Sequence, residues 1–450
     1  MTTIAGKRES YDETTSGADS VLAAENPEPT GNWSSQDAEK AAPPAAAWGS
    51  DAPDGGWTAW LVILGVWCTS FCSFGWLNSV GTFQEYYQGH LLSEYSASTV
   101  SWIPSLQIFF LMGMGPFVGL IYDHHGPRML LFFGTILHVL GIMMASLATE
   151  YYQILLAQGV CSAVGCACLF QPSVTCAAGW FNKKRGIAFG VMFTGSSVGG
   201  IIFPILVSRL ITEIGFPWAM RTCGFLVLFL LIIANLTVKA LHQPKPHPVT
   251  AAQLAKPLKE VDFLLIMLGF FLFAYGFFVP INYLPSQALS AGMSASLSQY
   301  LLSILNAGSL FGRLLAGIYS DKFGKYNIYI VVCFLSGIWV LGLWVPAKTD
   351  GALIAFAVLF GFFSGAYVSL ITPLVMAISP FNELGFRVGI VMLTCAVAGL
   401  TANPINGAIL DGAGGWMGVK IWSGVFCVVG TVSTLVVRGR RAGWKLTTIF

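Results

Sequence analysis

The chain has 450 residues and a formal net charge of +2; it is 55% hydrophobic and only 10% charged, with mean hydropathy +0.70. A soluble globule carries about 25% charged residues, so this composition excludes a water-covered fold and predicts an integral membrane protein. No basic block suggests nucleic acid, and the 10 cysteines lack the spacing of a metal site or a secreted disulfide framework.

Residues 1–54 are rich in Ser, Thr, Glu, Ala and Pro without apolar periodicity, and are expected to form a disordered cytoplasmic tail. Asn32-Trp33-Ser34 fits a glycosylation sequon, which a cytoplasmic position leaves silent. No secretory signal opens the chain, so the first span is expected to act as its own insertion signal. A helix needs about 20 apolar residues to cross the hydrocarbon core. Twelve stretches qualify: 57–81, 99–121, 129–148, 152–177, 186–208, 217–238, 261–283, 298–319, 327–346, 352–378, 386–409 and 416–437. The predicted fold is therefore an all-α membrane protein. Its six-helix bundles, 55–238 and 261–437, are joined by a polar, proline-broken linker at 239–260, and 438–450 form a second tail. Cys68, Cys72, Cys161, Cys166, Cys168 and Cys176 fall inside the apolar runs and read as buried free thiols.

Lys and Arg set the orientation. The even-to-odd loops hold Arg128, Lys183, Lys184, Arg185, the linker lysines, Lys322, Lys325 and Arg387, and the C-terminal tail adds Arg438, Arg440, Arg441 and Lys445. The opposite side has little beyond Arg209, Lys348 and Lys420. Both termini are thus expected in the cytoplasm, with the bundle in the plasma membrane.

One turn is repeated. GLIYDHHGPR carries Gly119, Asp123, Gly126 and Arg128, and GIYSDKFGK returns Gly317, Asp321 and Gly324, 317 − 119 = 198 residues later. A hairpin repeated once per half suggests a duplicated bundle. Glycine permits the tight turn and close helix approach, and either aspartate can accept from a helix N-terminus or pair with a cation across the seam between halves. Gly195 and Gly199, extended by Gly190 and Gly200, give the fifth span a small-residue packing face.

The twelve spans, the central linker and the repeated loop resemble the major facilitator superfamily over residues 57–437. Within it the chain resembles the monocarboxylate porter family in its fungal branch. That resemblance rests on Asp54-Gly55-Gly56-Trp57 ahead of the first span, the stretch Asn78 to Gln84 at its end, Trp180-Phe181-Asn182-Lys183-Lys184-Arg185-Gly186 before the fifth, and Arg313 after Phe311-Gly312 in the eighth. It implies alternating access by two six-helix halves, with substrate bound near the midplane. The chain departs from the animal lactate carriers of that family in having Asn78 where they have a lysine, and Ser309 where they have an aspartate one turn before the arginine. Those two groups are associated with proton coupling. Tyr326 also stands where the first hairpin has Arg128.

Arg313 is the sharpest intramembrane residue, since an arginine at mid-helix costs roughly 2.5–3.5 kcal/mol on insertion scales. With no acidic residue within a helical turn, it suits an anionic or carbonyl-bearing substrate; the bland alternative is an end-of-helix snorkel paired with Asp321. Asn78, Gln107, Gln171, Asn282, Asn306 and Tyr367 are the other polar candidates for the substrate pathway, against a plain role as interhelical hydrogen-bond glue. Trp102, Tyr275, Phe277 and Phe278 could supply an apolar wall.

No catalytic constellation, metal site or cofactor motif is visible. His124 and His125 are adjacent within the hairpin, and a GxxxxGK[ST] phosphate loop is missing, so neither enzyme chemistry nor ATP is expected. The expected partners are a small molecule and the lipid bilayer. The leading reading is a carrier exporting a secondary metabolite or organic acid. The alternative is proton-coupled uptake of a short monocarboxylate. A third, a receptor or scaffold on a carrier fold, calls for a large soluble domain that these short tails do not supply.

Overall fold

The computed structural model describes residues 52–241, 255–380, 383–444 and 448. The expected N-terminal tail (except 52–54), the centre of the expected linker (242–254) and residues 445–447 and 449–450 of the C-terminal tail lie outside the described residues.

Twelve helices among the described residues are long and apolar enough to cross a membrane. They are α1 (Trp57–Leu91), α2 (Trp102–His125), α3 (Pro127–Ala145), α4 (Tyr151–Ala178), α5 (Arg185–Ile214), α6 (Phe216–Thr237), α7 (Val261–Ser290), α8 (Ser296–Phe323), α9 (Lys325–Trp344), α10 (Asp350–Ala377), α11 (Leu384–Asp411) and α12 (Gly415–Ala442). Backbone groups in hydrocarbon must be satisfied within the segment, which is why each apolar run folds as helix. Several helices outrun their apolar stretch. α5 continues to Ile214 rather than 208 and α7 to Ser290 rather than 283, because the hydrogen-bond ladder and packing against neighbours continue past the hydrocarbon boundary.

The repeated hairpins are tighter than the sequence suggests. α2 runs through Asp123 to His125, Gly126 alone turns the chain at φ 76°, and Pro127 starts α3. Likewise Asp321 sits in the last turn of α8, Gly324 turns at φ 92°, and Lys325 starts α9. Positive φ is accessible to glycine without a Cβ clash, and proline suits a first helical position.

The helix pairings repeat with an offset of six. α1 packs on α5 and α6, α3 on α4 and α6, and α2 on α4; correspondingly α7 packs on α11 and α12, α9 on α10 and α12, and α8 on α10. The two sets meet chiefly where α5 crosses α8 and α2 crosses α11. Large apolar side chains left exposed, such as Phe133, Phe229 and Val331, mark the lipid-facing perimeter.

The first helix is not uniform. It passes through a π-turn at Phe71–Gly75, breaks at Asn78 and Ser79, resumes at Val80 and ends in a second π-turn at Tyr87–Leu91. α4 contains a π stretch at Leu155–Ser162. Such turns are frequent at functional positions because they redirect side chains and free backbone groups.

Candidate functional site

Two carboxylates tie the helix crossings together at one end of the bundle. Asp123 of α2 accepts from the backbone N–H groups of Gly385 (3.2 Å) and Phe386 (3.0 Å), in the first turn of α11. Asp321 of α8 accepts from those of Gly186 (2.7 Å) and Ile187 (3.0 Å), in the first turn of α5. Helix N-termini expose unpaired N–H groups and the positive end of the helix dipole, so a carboxylate is the natural cap. Glycine makes the approach possible. A Cβ on Gly115 would stand 2.7 Å from the Gly389 carbonyl oxygen, and one on Gly190 2.8 Å from that of Arg313. Gly119 meets Gly385, and Gly317 meets Gly186, with the same backbone-on-backbone packing. Arg128 is exposed.

The Asp-Gly-Gly-Trp motif acts at the same end. Asp54, Gly55 and Gly56 all adopt positive φ (51°, 152° and 89°), which bends the chain before Trp57 starts α1. The bend presents Asp54 Oδ1 to the N–H groups of Asn182 (2.6 Å), Lys183 (2.7 Å) and Lys184 (3.2 Å). One motif therefore holds the loop that precedes α5, while Trp57, 80% exposed, sits at the perimeter as an interfacial anchor. The counterpart before α7 is Glu260, whose carboxylate takes both Arg387 Nη atoms at 2.7 Å; Glu383 accepts from Arg387 Nη2 at 2.8 Å. Sequence reading counted Arg387 only as a loop charge; it lies in α11, with its side chain fully covered.

A polar strip leads inward from these clamps along the α5–α8 crossing. Arg313 is 6% exposed, and its Nη1 donates to the Phe193 carbonyl (2.7 Å) and to Ser196 Oγ, both on α5. Its Nε has no hydrogen-bond partner among the described residues. It forms no ion pair with Asp321 or any other described carboxylate. One turn earlier, Ser309 Oγ meets Ser197 Oγ at 3.5 Å. Further along, Asn78 Nδ2, at the break in α1, donates to the Ser196 carbonyl (3.4 Å) and to Asn306 Oδ1 (3.5 Å). Gly200 leaves room for this meeting, since a Cβ there would stand 2.6 Å from Asn78 Nδ2. The structure thus brings together Asn78, Asn306 and Arg313.

The remaining sequence candidates lie in other groups. Gln171 of α4 donates to the Gly385 carbonyl at 3.0 Å, beside the Asp123 clamp. Asn282 of α7 donates to Asn403 Oδ1 of α11 at 2.7 Å. Tyr367 of α10 is buried, donates to the Phe270 carbonyl (3.0 Å) and packs on Phe273 at 4.5 Å between ring centroids. Gln107 of α2 accepts from Gln158 of α4 at 3.4 Å, and Tyr87 donates to Gln158 at 2.6 Å.

Sequence reasoning missed Tyr87, Gln158 and His138. His138 of α3 is fully buried and joins two π stretches: Nε2 lies 3.1 Å from the Cys72 carbonyl and Nδ1 2.9 Å from Ser162 Oγ. A lone polar residue inside an apolar run was the available signal for His138 and Gln158, whereas Tyr87 stands in a polar stretch past the expected end of the first span and carried none.

A twelve-helix bundle with capped crossings and buried polar groups where its helices cross is the architecture of a polytopic membrane carrier. The chain belongs to the Major Facilitator Superfamily, whose family model matches residues 59–352 and 266–447. It is 55% identical to MFS transporter asaE of Aspergillus flavus, covering 88% of this chain and 90% of that one. It is 52% identical to the Fujikurins efflux protein of Gibberella fujikuroi (88% and 86% covered) and 38% identical to the Aspyridones efflux protein apdF of Emericella nidulans (89% and 81%). In fold it is similar to the transporter FucP crystallised in an outward conformation, with TM-score 0.66 and 15% identity over 84% of this chain and 99% of that one.

Proposed function

We propose that this chain is a secondary carrier that exports a small, amphipathic secondary metabolite or organic acid from a fungal cell by alternating access. The carrying observation is the relationship to proteins named for efflux, above all 52% identity over 399 residues to the Fujikurins efflux protein. The substrate is anionic or carbonyl-bearing, a reading supported by the buried Arg313 guanidinium with no carboxylate partner among the described residues. Within the superfamily, the Asp54-to-Trp57 motif and the loop it holds support the fungal branch of the monocarboxylate porters.

The moving parts are two six-helix halves, 55–238 and 261–437, with the linker, both termini and the capped crossings in the cytoplasm and the bundle in the plasma membrane. The repeat supports this division: α2 caps α11 and α8 caps α5, the same arrangement with the halves exchanged. With both caps formed, the cytoplasmic end is closed and substrate exchange occurs on the other side. Breaking them lets the halves part inward. Asn78, Asn306 and Arg313 contact substrate near the midplane, and Gln107, Gln171, Asn282 and Tyr367 belong to the same pathway.

The test compares mycelium and medium with and without the gene. Export predicts compounds that accumulate inside and vanish outside in the disrupted strain. Unchanged partition, with radiolabelled lactate uptake that rises at acidic pH and depends on the protein, would instead support the proton-coupled uptake reading.

A further inference from the structure

We propose that Tyr87, Gln158 and Gln107 form a polarised hydrogen-bond chain that presents the Gln107 side-chain N–H to an oxygen acceptor, a ketone or carboxylate, on the transported molecule. The inference rests on the carrier reading above and adds a specificity-determining residue to it.

The three side chains come from α1, α4 and α2 and are 1%, 2% and 0% exposed. Tyr87 O–H donates to Gln158 Oε1 at 2.6 Å, and Gln158 Nε2 donates to Gln107 Oε1 at 3.4 Å. Gln107 Nε2 then has no partner among the described residues. Amide orientation follows from the network, and here the network decides it. If both amides were turned over, Gln158 Nε2 would donate to the tyrosine oxygen. The Tyr87 proton would then lose this acceptor, and Gln107 would be left with an unpaired oxygen instead. The direction that begins at the phenol leaves one orphaned group, and that group is a donor. A buried, unpaired amide donor is destabilising, and it persists where something else supplies the acceptor.

Its position fits that use. Next to Gln107 in sequence, Ile108 touches Gly399 of α11, where a Cβ would stand 2.7 Å from Ile108 Cγ2. On the other side, Ile103 and Leu106 touch Gly159 of α4, with Leu106 Cβ 3.6 Å from a Cβ built there. Gln107, whose side chain meets α4, thus lies one residue from a contact across the α2–α11 seam, a surface that parts in the proposed cycle. The chain behind it is firmly set. Tyr87 lies in the second π-turn of α1, its ring between Phe83 and Phe216, and Gln158 lies in the π stretch of α4. A donor held by such a chain favours substrates with an oxygen acceptor and discriminates against analogues lacking one.

The experiment uses the full chain, first purified in nanodiscs and then restored to the gene-disrupted fungus. The purified proteins are parent, Gln107→Met and Tyr87→Phe. Gln107→Met removes the orphaned donor together with the long bond it accepts from Gln158, so its thermal midpoint falls less than that of Tyr87→Phe, which strands Gln158 Oε1 and leaves the Gln107 donor orphaned as well. In the fungus, the probes are the ketone- and carboxylate-bearing compounds whose appearance in the medium depends on the parent gene. Their export falls at least tenfold with Gln107→Met at equal surface level, and less with Tyr87→Phe. A Gln107→Met midpoint as low as that of Tyr87→Phe, or parent-like export by Gln107→Met, overturns the proposal. If the parent itself exports nothing, the efflux reading fails, and the midpoint comparison still decides whether Gln107 carries an uncompensated donor.

Discussion

Gly385 lies so close to Asp123 that a Cβ built on it would stand 2.5 Å from the carboxylate Oδ1. The same contact lets the Gly385 N–H reach that oxygen at 3.2 Å. Cap and close packing are therefore one feature, and Gly385→Ala should damage both. The expected result is transport slowed about tenfold or more with surface level near normal, measured as initial export rate per surface molecule. A parent-like rate would show that the α2–α11 crossing tolerates widening.

Asp123→Asn and Asp321→Asn should each loosen one cap. An amide keeps an acceptor oxygen but loses the charge that complements the helix end, a contribution of about 1 kcal/mol, or roughly fivefold in the ratio of closed to open forms. Hydrogen exchange at the capped amides measures it. Asp123→Asn should speed exchange at Gly385 and Phe386, and Asp321→Asn at Gly186 and Ile187. The double variant should open more than either alone. Unchanged exchange at all four amides would reduce the aspartates to ordinary turn residues.

Asp54→Ala removes the acceptor shared by three consecutive N–H groups, those of Asn182, Lys183 and Lys184. Losing hydrogen bonds to a charged group costs about 1.5–3 kcal/mol. A lower thermal midpoint of the purified protein is expected, together with reduced yield in the membrane. Glu is a poor substitute, because Asp54 sits at φ 51° and its short side chain meets the loop from a fixed bend. A midpoint equal to the parent's would mean that the loop before α5 is held by other contacts.

The twelve helices were legible because a long apolar run marks each membrane span, and the family resemblance followed from the span count, the linker and the repeated turn. Their ends were not, since α5 and α7 run on where packing rather than apolarity sustains the helix. The sequence singled out both the Asp54 motif and the Trp180-to-Gly186 stretch, but it could not say that the first holds the second, because that contact spans 128 residues of chain. Asn78, Asn306 and Arg313 were visible one by one as polar residues in apolar runs. Their meeting depends on the α1 break and on Gly200, which are matters of tertiary packing. Arg313 was weighed against a pairing with Asp321; that carboxylate is instead engaged by the α5 backbone. The π stretches, and with them the significance of Tyr87, Gln158 and His138, leave no mark in residue periodicity.

The proposed orientation gives a separate expectation. Reporters fused after Phe450 and inserted within 242–254 should both read cytoplasmic, because Lys and Arg gather at that end of the bundle. Opposite readings from the two sites would break the even span count.

The most direct test of the account is export by Arg313→Lys, normalised to surface protein, in the gene-disrupted strain. Arg313 reaches the Phe193 carbonyl and Ser196 through one nitrogen, and its Nε has no partner among the described residues, so its planar fork has donor capacity left for a substrate. A lysine keeps the charge and loses the fork. The account predicts that parent-dependent metabolites in the medium fall at least tenfold while the variant reaches the membrane normally. Export at the parent's rate would contradict it and remove Arg313 from the substrate site.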